Sequence, residues 1–442
     1  MCSKALPVIV LVHQLICPNS TSECAQFRHR SVARSPPRLP TINPGASQMN
    51  RPEVFVVSAV RTAIGTYGGT LKDTPPAELA TLVTRTALSR ADCDPQQVEH
   101  VVFGNVIPTT PKDAYISRVA ALQAGIPKET PAFSVNRLCG SGLQAIVSAA
   151  QGLLLGDSRI AIAGGAECMS QGGYLVPSVR WGARMGDSKM LDFMLGALHD
   201  PLHGIHMGIT AENVAKLHGI TREDQDALAL QSQQRAARAI AEGRFASQIV
   251  PVEIQTRKGV TQFEIDEHVR AEVTLEQLAK MKPAFTEGGT VTAGNASGLN
   301  DGASALLLAT GDAVKDQGLQ PMARLVAYAH AGVEPTVMGL GPIPATRLAL
   351  QRAGLTVADL DVIESNEAFA AQACAVSREL GFDPEKVNPN GSGISLGHPI
   401  GASGAIIATK AIHELQRIKG RYALATMCIG GGQGIAVIFE RV

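Results

Sequence analysis

The sequence predicts an α/β protein whose core is duplicated: two sheet-and-helix halves stacked as α/β/α/β/α layers, with a separate segment inserted. Three observations predict it. Apolar runs of four to six residues, rich in β-branched side chains, alternate with helical stretches, as βαβ units require. Three short motifs recur in the same order at a nearly constant offset, and residues from about 169 to 299 have no place in that repeat.

The first half opens with the strand-like run Val54–Ser58, followed by helical Glu78–Leu88. His100–Asn105 then aligns with Asp361–Asn366 at an offset of 261 (366 − 105). Cys139-Gly-Ser-Gly142 aligns with Gly401-Ala-Ser-Gly404 at 262 (401 − 139), and Gly156–Gly165 parallels Lys419–Cys428. After the extended run Pro131–Val135, apolar positions 143, 146, 147, 150 and 154 keep a mostly helical period and predict a buried central helix. The uninterrupted apolar runs predict a mainly parallel sheet covered on both faces. In the insertion, Thr221 with Asp224 reads as a helix cap before Gln225–Glu242, and Trp181–Asp187 as a loop. The expected units are residues 49–168 completed by 300–321, an inserted domain over 169–299, and a second half over 322–442.

Composition narrows the function. At 442 residues and 45% apolar content the chain can bury large cores, and its 44 glycines call for many close backbone approaches. With 39 basic and 39 acidic residues there is no global field for nucleic acid or an anionic membrane. Eight cysteines lack CxxC spacing and paired histidines, so neither a metal site nor a disulfide framework is expected. No run of 18 or more apolar residues occurs, so no membrane span is expected.

Residues 1–48 differ in character, with a broken apolar run from Leu6 to Cys17 and then Arg28, Arg30, Arg34 and Arg38. They read as an upstream extension before a start at Met49, as an arginine-rich transit peptide, or as a poor secretory segment; each reading expects disorder outside the fold. The expected location is cytoplasmic, or mitochondrial if that segment is a transit peptide.

Four stretches carry chemistry. Cys139 lies in Asn136–Gly142 between an extended run and a helix, where unpaired amides and the helix dipole are expected to lower the thiol pKa. Taken alone, it reads first as a small buried cysteine, and the other stretches overturn that reading. Gly391–Gly404 places His398 in a glycine-rich turn, and Met427–Gly434 does the same for Cys428 and Gly430. The fourth is Asn366-Glu-Ala-Phe369, where Asn366 also reads as a turn residue and Glu367 as a solvated charge.

Taken in chain order, the stretches around Cys139, Asn366, His398 and Cys428 resemble the four signatures of the thiolase family, and the resemblance runs from about Glu53 to Val442. The resemblance implies a thiolase-like layered fold, an inserted loop domain that grips coenzyme A and helps join dimers into a homotetramer, and coenzyme A thioesters as substrates without a resident cofactor. It implies reversible condensation of acetyl-CoA with a short acyl-CoA to 3-ketoacyl-CoA. Cys139 would be the acyl-carrying nucleophile, His398 its base and Cys428 the base for the second substrate. One oxyanion site would use His398 with a water held by Asn366, and the other the amides of Cys139 and Gly430. The matching coenzyme A positions are Leu198, His206, Met207, Arg270, Phe285, Ala293, Ser297, Met338, Ala368 and Phe369; Arg270 alone would read as a surface charge. The string around His398, with Trp181-Gly-Ala-Arg-Met-Gly, looks most like bacterial biosynthetic enzymes that feed polyhydroxyalkanoate synthesis. A degradative 3-ketoacyl-CoA thiolase and a non-catalytic acyl-CoA-binding protein are the alternatives.

Overall fold

A computed structural model describes residues 52–442; the expectations for residues 1–48 lie outside the described residues. The repeated motifs become two copies of one topology. In the first, strands run in the order Ala132–Val135, His100–Gly104, Ile160–Cys168, Asn300–Thr310 and Val54–Thr62. In the second, Val362–Ser365, Tyr422–Ile429, Gln433–Arg441 and Ala323–Gly332 repeat the last four places. A parallel bridge from Ile363 to Val387 marks the fifth. The two copies join edge to edge through two residue pairs, Phe55 with Arg324 and Val56 with Ala323.

The sheet is mixed, which corrects the mainly parallel expectation. His100–Gly104 pairs in parallel with both its neighbours, but Asn300–Thr310 and Gln433–Arg441 run antiparallel to theirs. In the second copy the reversal is a hairpin: Ile429 pairs with Gln433 across Gly430–Gly432, and Gly431 and Gly432 have φ of 77° and 80°. Glycine adopts that left-handed backbone without a Cβ clash.

Helices Ser141–Leu155 and Ile400–Ile418 lie between the two half-sheets, in an inner core that includes Leu143, Ile146, Ala405, Ile412, Met427 and Phe439. Helix Pro76–Arg90 covers the outer face of the first half, and Pro342–Ala353 that of the second. Of the predicted apolar positions, 143, 146, 147 and 150 are buried and Leu154 is half-buried. The two central helices cross where the repeat superposes them. A Cβ on Gly142 would lie 2.5 Å from the Ala405 nitrogen, and one on Gly404 2.2 Å from the Leu143 nitrogen. Residues Leu138–Leu155 have a mean hydropathy of 1.4, apolar enough on composition for a membrane span, because sheets rather than water surround this helix.

The inserted segment packs its helices Met207–His218 and Arg222–Ala241 against helix Ala370–Leu380 of the second half. Thr221 and Asp224 form the predicted capping box. Arg61 and Asp266, both buried, tie the insertion to the first half through a bidentate pair at 2.7 and 2.9 Å.

Candidate active site

The turn that carries Cys139 is shaped by its neighbours. Leu138 holds φ at 46°, a left-handed conformation that costs a branched residue energy, and the surrounding bonds sustain it. Its amide donates to Asn136 Oδ1 at 2.9 Å and its carbonyl accepts from Ser141 Oγ at 2.6 Å. At Gly140 a Cβ would sit 2.4 Å from Ile429 Cδ1, so only glycine lets the turn close on the second half. Cys139 thereby meets the hairpin that carries Cys428.

Cys139, Cys428 and His398 line one cavity of about 430 Å³. All ten positions matched to coenzyme A line it too: Leu198, His206, Met207, Arg270, Phe285, Ala293, Ser297, Met338, Ala368 and Phe369. His206 caps helix Met207–His218 by accepting the Gly208 amide at Nδ1 (3.0 Å), and its ring stacks on Phe285 with centroids 4.8 Å apart. Arg270 therefore belongs to the cavity wall, rather than to an unrelated surface.

His398 follows Gly397, whose φ is 104° and whose Cβ would collide with Asn300. Asn300 Oδ1 accepts the His398 amide at 2.9 Å, while Asn300 Nδ2 donates to the Gly65 carbonyl. The ring tautomer follows from one hydroxyl. Ser403 Oγ lies 2.6 Å from His398 Nδ1 and 2.8 Å from the Pro399 carbonyl. With the single Ser403 proton donated to the Pro399 carbonyl, which accepts only, Nδ1 is assigned as the donor to Ser403. That leaves Nε2 with its lone pair, buried and without a partner. Burial also lowers the His398 pKa to about 4, so the ring is neutral at neutral pH.

The expected low thiol pKa is not found. Removal from water pushes the Cys139 thiol up to about 11, against the lowering effect of the Gly430 and Cys139 amides that point at its sulfur. The residue as a whole is half-buried and lines the cavity, and desolvation of its sulfur outweighs two amide dipoles. Burial likewise raises the Cys428 thiol, and the nearby Cys139 sulfur adds to the effect. The resting pair is thus a thiol and a neutral imidazole.

Asn366 and Gly430 do not line the cavity. Asn366 follows strand Val362–Ser365, donates its amide to the Thr426 carbonyl at 3.0 Å, and keeps Nδ2 buried and unpaired. It borders a small neighbouring void shared with Ser403 and Lys410. Gly430 contributes its amide to Cys139 from the hairpin turn. Glu367 is buried rather than solvated: its carboxylate accepts from Ser232 Oγ at 2.6 Å and Asn388 Nδ2 at 2.9 Å, fastening the insertion to the second half.

Sequence reasoning missed several wall residues, among them Met169, Met194, Leu195, His268, Leu299 and Ile400. Ile400 stands two residues after His398, so that signal was available. It also missed Glu167, buried beside the site, whose carboxylate takes the Val106, Ile107 and Gly401 amides and Asn105 Nδ2 at 2.9–3.1 Å. Burial pushes Glu167 up to about 8 despite those donors.

A duplicated layered core enclosing two cysteines and a histidine defines an acyl-transfer enzyme of the thiolase kind. The Thiolase, N-terminal domain family matches residues 54–312 and the Thiolase, C-terminal domain family residues 319–441, and the chain belongs to the thiolase family. It is similar to Beta-ketothiolase BktB of Cupriavidus necator, 64% identical over 391 residues that make up 88% of this chain and 99% of that protein. An acetyl-CoA acetyltransferase of Syntrophomonas wolfei is 50% identical over 88% of this chain and 99% of its own length. The human mitochondrial 3-ketoacyl-CoA thiolase, solved in complex with CoA, superposes with a TM-score of 0.86 at 46% identity, covering 88% of this chain and 98% of that one.

Proposed function

We propose that the protein condenses acetyl-CoA with acetyl-CoA or a short acyl-CoA to a 3-ketoacyl-CoA and free CoA, and catalyses the reverse thiolysis. The observation that carries this reading is the unpaired Nε2 of His398 in the same cavity wall as the Cys139 and Cys428 thiols. Because the resting groups are neutral, the Cys139 proton moves to His398 Nε2 as sulfur attacks the thioester carbonyl. The Cys139 and Gly430 amides hold the developing oxyanion. The bond to the CoA sulfur breaks, His398 returns the proton to it, and Cys139 keeps the acyl group. Cys428 gives its thiol proton to His398 Nε2, and the thiolate so formed takes a proton from the methyl of acetyl-CoA, whose thioester oxygen is held by the protonated His398 Nε2 and a water on Asn366 Nδ2. The carbanion attacks the acyl-cysteine carbonyl, the bond to the Cys139 sulfur breaks to release 3-ketoacyl-CoA, and the expelled Cys139 thiolate takes the proton back from His398.

The cavity wall is largely apolar, as a pantetheine arm needs, with Arg270 the one strongly cationic side chain to meet phosphate or adenine. Residues 169–299 act as the coenzyme A-gripping domain between halves 49–168 with 300–321 and 322–442. A cytoplasmic homotetramer that supplies polyhydroxyalkanoate synthesis completes the reading. The exposed Trp181 (91%) and Met185 (99%) support a further subunit contact in that segment.

The test is acyl trapping. Mixed with acetyl-CoA, the protein should gain one acetyl group on the peptide containing Cys139 and should cleave acetoacetyl-CoA when CoA is supplied. Labelling only at Cys168 or Cys374 would overturn the assignment.

A further inference from the structure

Two apolar clusters share the cavity wall, and the two cysteines belong to different ones. Cys428 sits with Met207, Met338, Ala368 and Phe369. Cys139 packs against the inner core between the sheets and against the second wall cluster, which contains Val106, Ile107, Met169, Met194 and Ile400 with Leu299 at its margin; of these two, the second is the one that opens on the cavity. Met169, Met194, Leu299 and Ile400 open on the cavity, and Val106 and Ile107 stand behind them. An acyl group on Cys139 whose oxygen faces the Cys139 and Gly430 amides has its alkyl chain directed off those amides, toward the cluster on which Cys139 itself packs.

We propose that this methionine-walled end is the acyl-donor pocket, and that Met194 sets the chain length it accepts. The proposal rests on Cys139 as the acyl carrier. The two methionines are held differently. Met169 Sδ accepts the Asn300 amide at 3.4 Å, and Asn300 in turn holds the His398 backbone, so displacing Met169 disturbs the base. Met194 rides on the five-residue helix Phe193–Ala197 inside the insertion, with its Cβ over Gly172. Met194 is buried, but the next residue, Leu195, is 45% exposed, so the short helix that carries Met194 lies at the surface. An unbranched thioether side chain has the rotamers to yield. Met169 is the fixed floor of the pocket and Met194 its adjustable stop.

Thiolysis of acetoacetyl-, 3-ketovaleryl- and 3-ketohexanoyl-CoA leaves acetyl, propionyl and butyryl groups on Cys139, so the three substrates measure the pocket directly. Met194→Ala removes three heavy atoms and should raise the kcat/KM ratio of 3-ketohexanoyl- to acetoacetyl-CoA by about tenfold or more, since one methylene in an apolar pocket is worth roughly 10–200-fold. Met194→Phe should lower the same ratio, which keeps the proposal testable if the alanine variant folds poorly. Met338→Ala, in the other wall, should scale all three substrates alike. The pocket assignment is overturned if both Met194 variants leave the ratio at its wild-type value, or if Met338→Ala is the change that shifts it. Mass spectrometry of the acyl-enzyme separates the two levels: absence of any acyl group on Cys139 in wild type refutes the thiolase mechanism itself, whereas normal acylation with an unmoved ratio refutes only the role of Met194.

Discussion

Replacing Ser403 with alanine should cripple the base without touching the substrate. The hydroxyl is the acceptor 2.6 Å from His398 Nδ1, and it is committed to that role because its proton is spent on the Pro399 carbonyl. In the Ser403→Ala protein, a ring that keeps Nδ1 protonated holds a buried N–H with no partner, at a cost of about 1–3 kcal/mol. The alternative tautomer carries its proton on Nε2, escapes that cost, and cannot accept the proton of Cys139. A shift of 1–3 kcal/mol reduces the competent tautomer by roughly 5- to 150-fold, because 1.36 kcal/mol corresponds to a factor of ten. Steady-state thiolysis of acetoacetyl-CoA should therefore lose kcat by that factor, with KM little changed because Ser403 is not on the wall of the main cavity. Ser403→Thr, which restores the hydroxyl, should recover most of the rate. A Ser403→Ala enzyme within twofold of wild type in kcat, with an unchanged melting temperature, would refute the tautomer reasoning.

Cys428→Ser should still form acetyl-Cys139 but fail to exchange the methyl protons of acetyl-CoA; deuterium washout at the wild-type rate would assign that base elsewhere. Gly404→Ala forces a methyl into the Leu143 backbone at the helix crossing and should cost about 1–3 kcal/mol or more, read as a lowered melting temperature. Acid should destabilise the fold in a defined window. His268, His330 and His398 are each held at about 4, below their ordinary 6.5, by burial. At these three sites the unfolded chain binds more protons between those values, and that stability, present above 6.5, is lost as pH falls toward 4; the buried carboxyls of Glu167 and Glu364, raised to about 8 and about 7, offset part of the loss. A melting temperature that is flat from pH 7 to 4.5 would contradict this.

The duplication was legible because the same motifs sit at the same spacing, and the offset of 262 that relates them maps Gly142 onto Gly404, the two residues that touch. Strand direction was not legible. Asn300–Thr310 reads as the same kind of apolar run whether it lies parallel or antiparallel, and an insertion of more than a hundred residues precedes it, so no short turn betrays its sense. The hairpin at Gly430–Gly432 did carry a signal, three glycines between two apolar runs. The meeting of Cys139, His398 and Cys428 in one cavity was legible because each stands among glycines in a recognisable string. Its protonation was not, because sequence shows the helix start beside Cys139 but not the walls that keep water from the sulfur. Met194 and His268 escaped notice for a related reason: they are ordinary residues of the insertion, placed at the site only by how it folds back.

The contact between Gly142 and Gly404 has a historical consequence. Each glycine lies near the start of its helix, and Cys139 precedes one helix while His398 precedes the other. Equivalent ends of one repeated segment thus meet, the first beside Cys139 and the second beside His398. An ancestor with two identical copies would have had this meeting point before it had this division of labour.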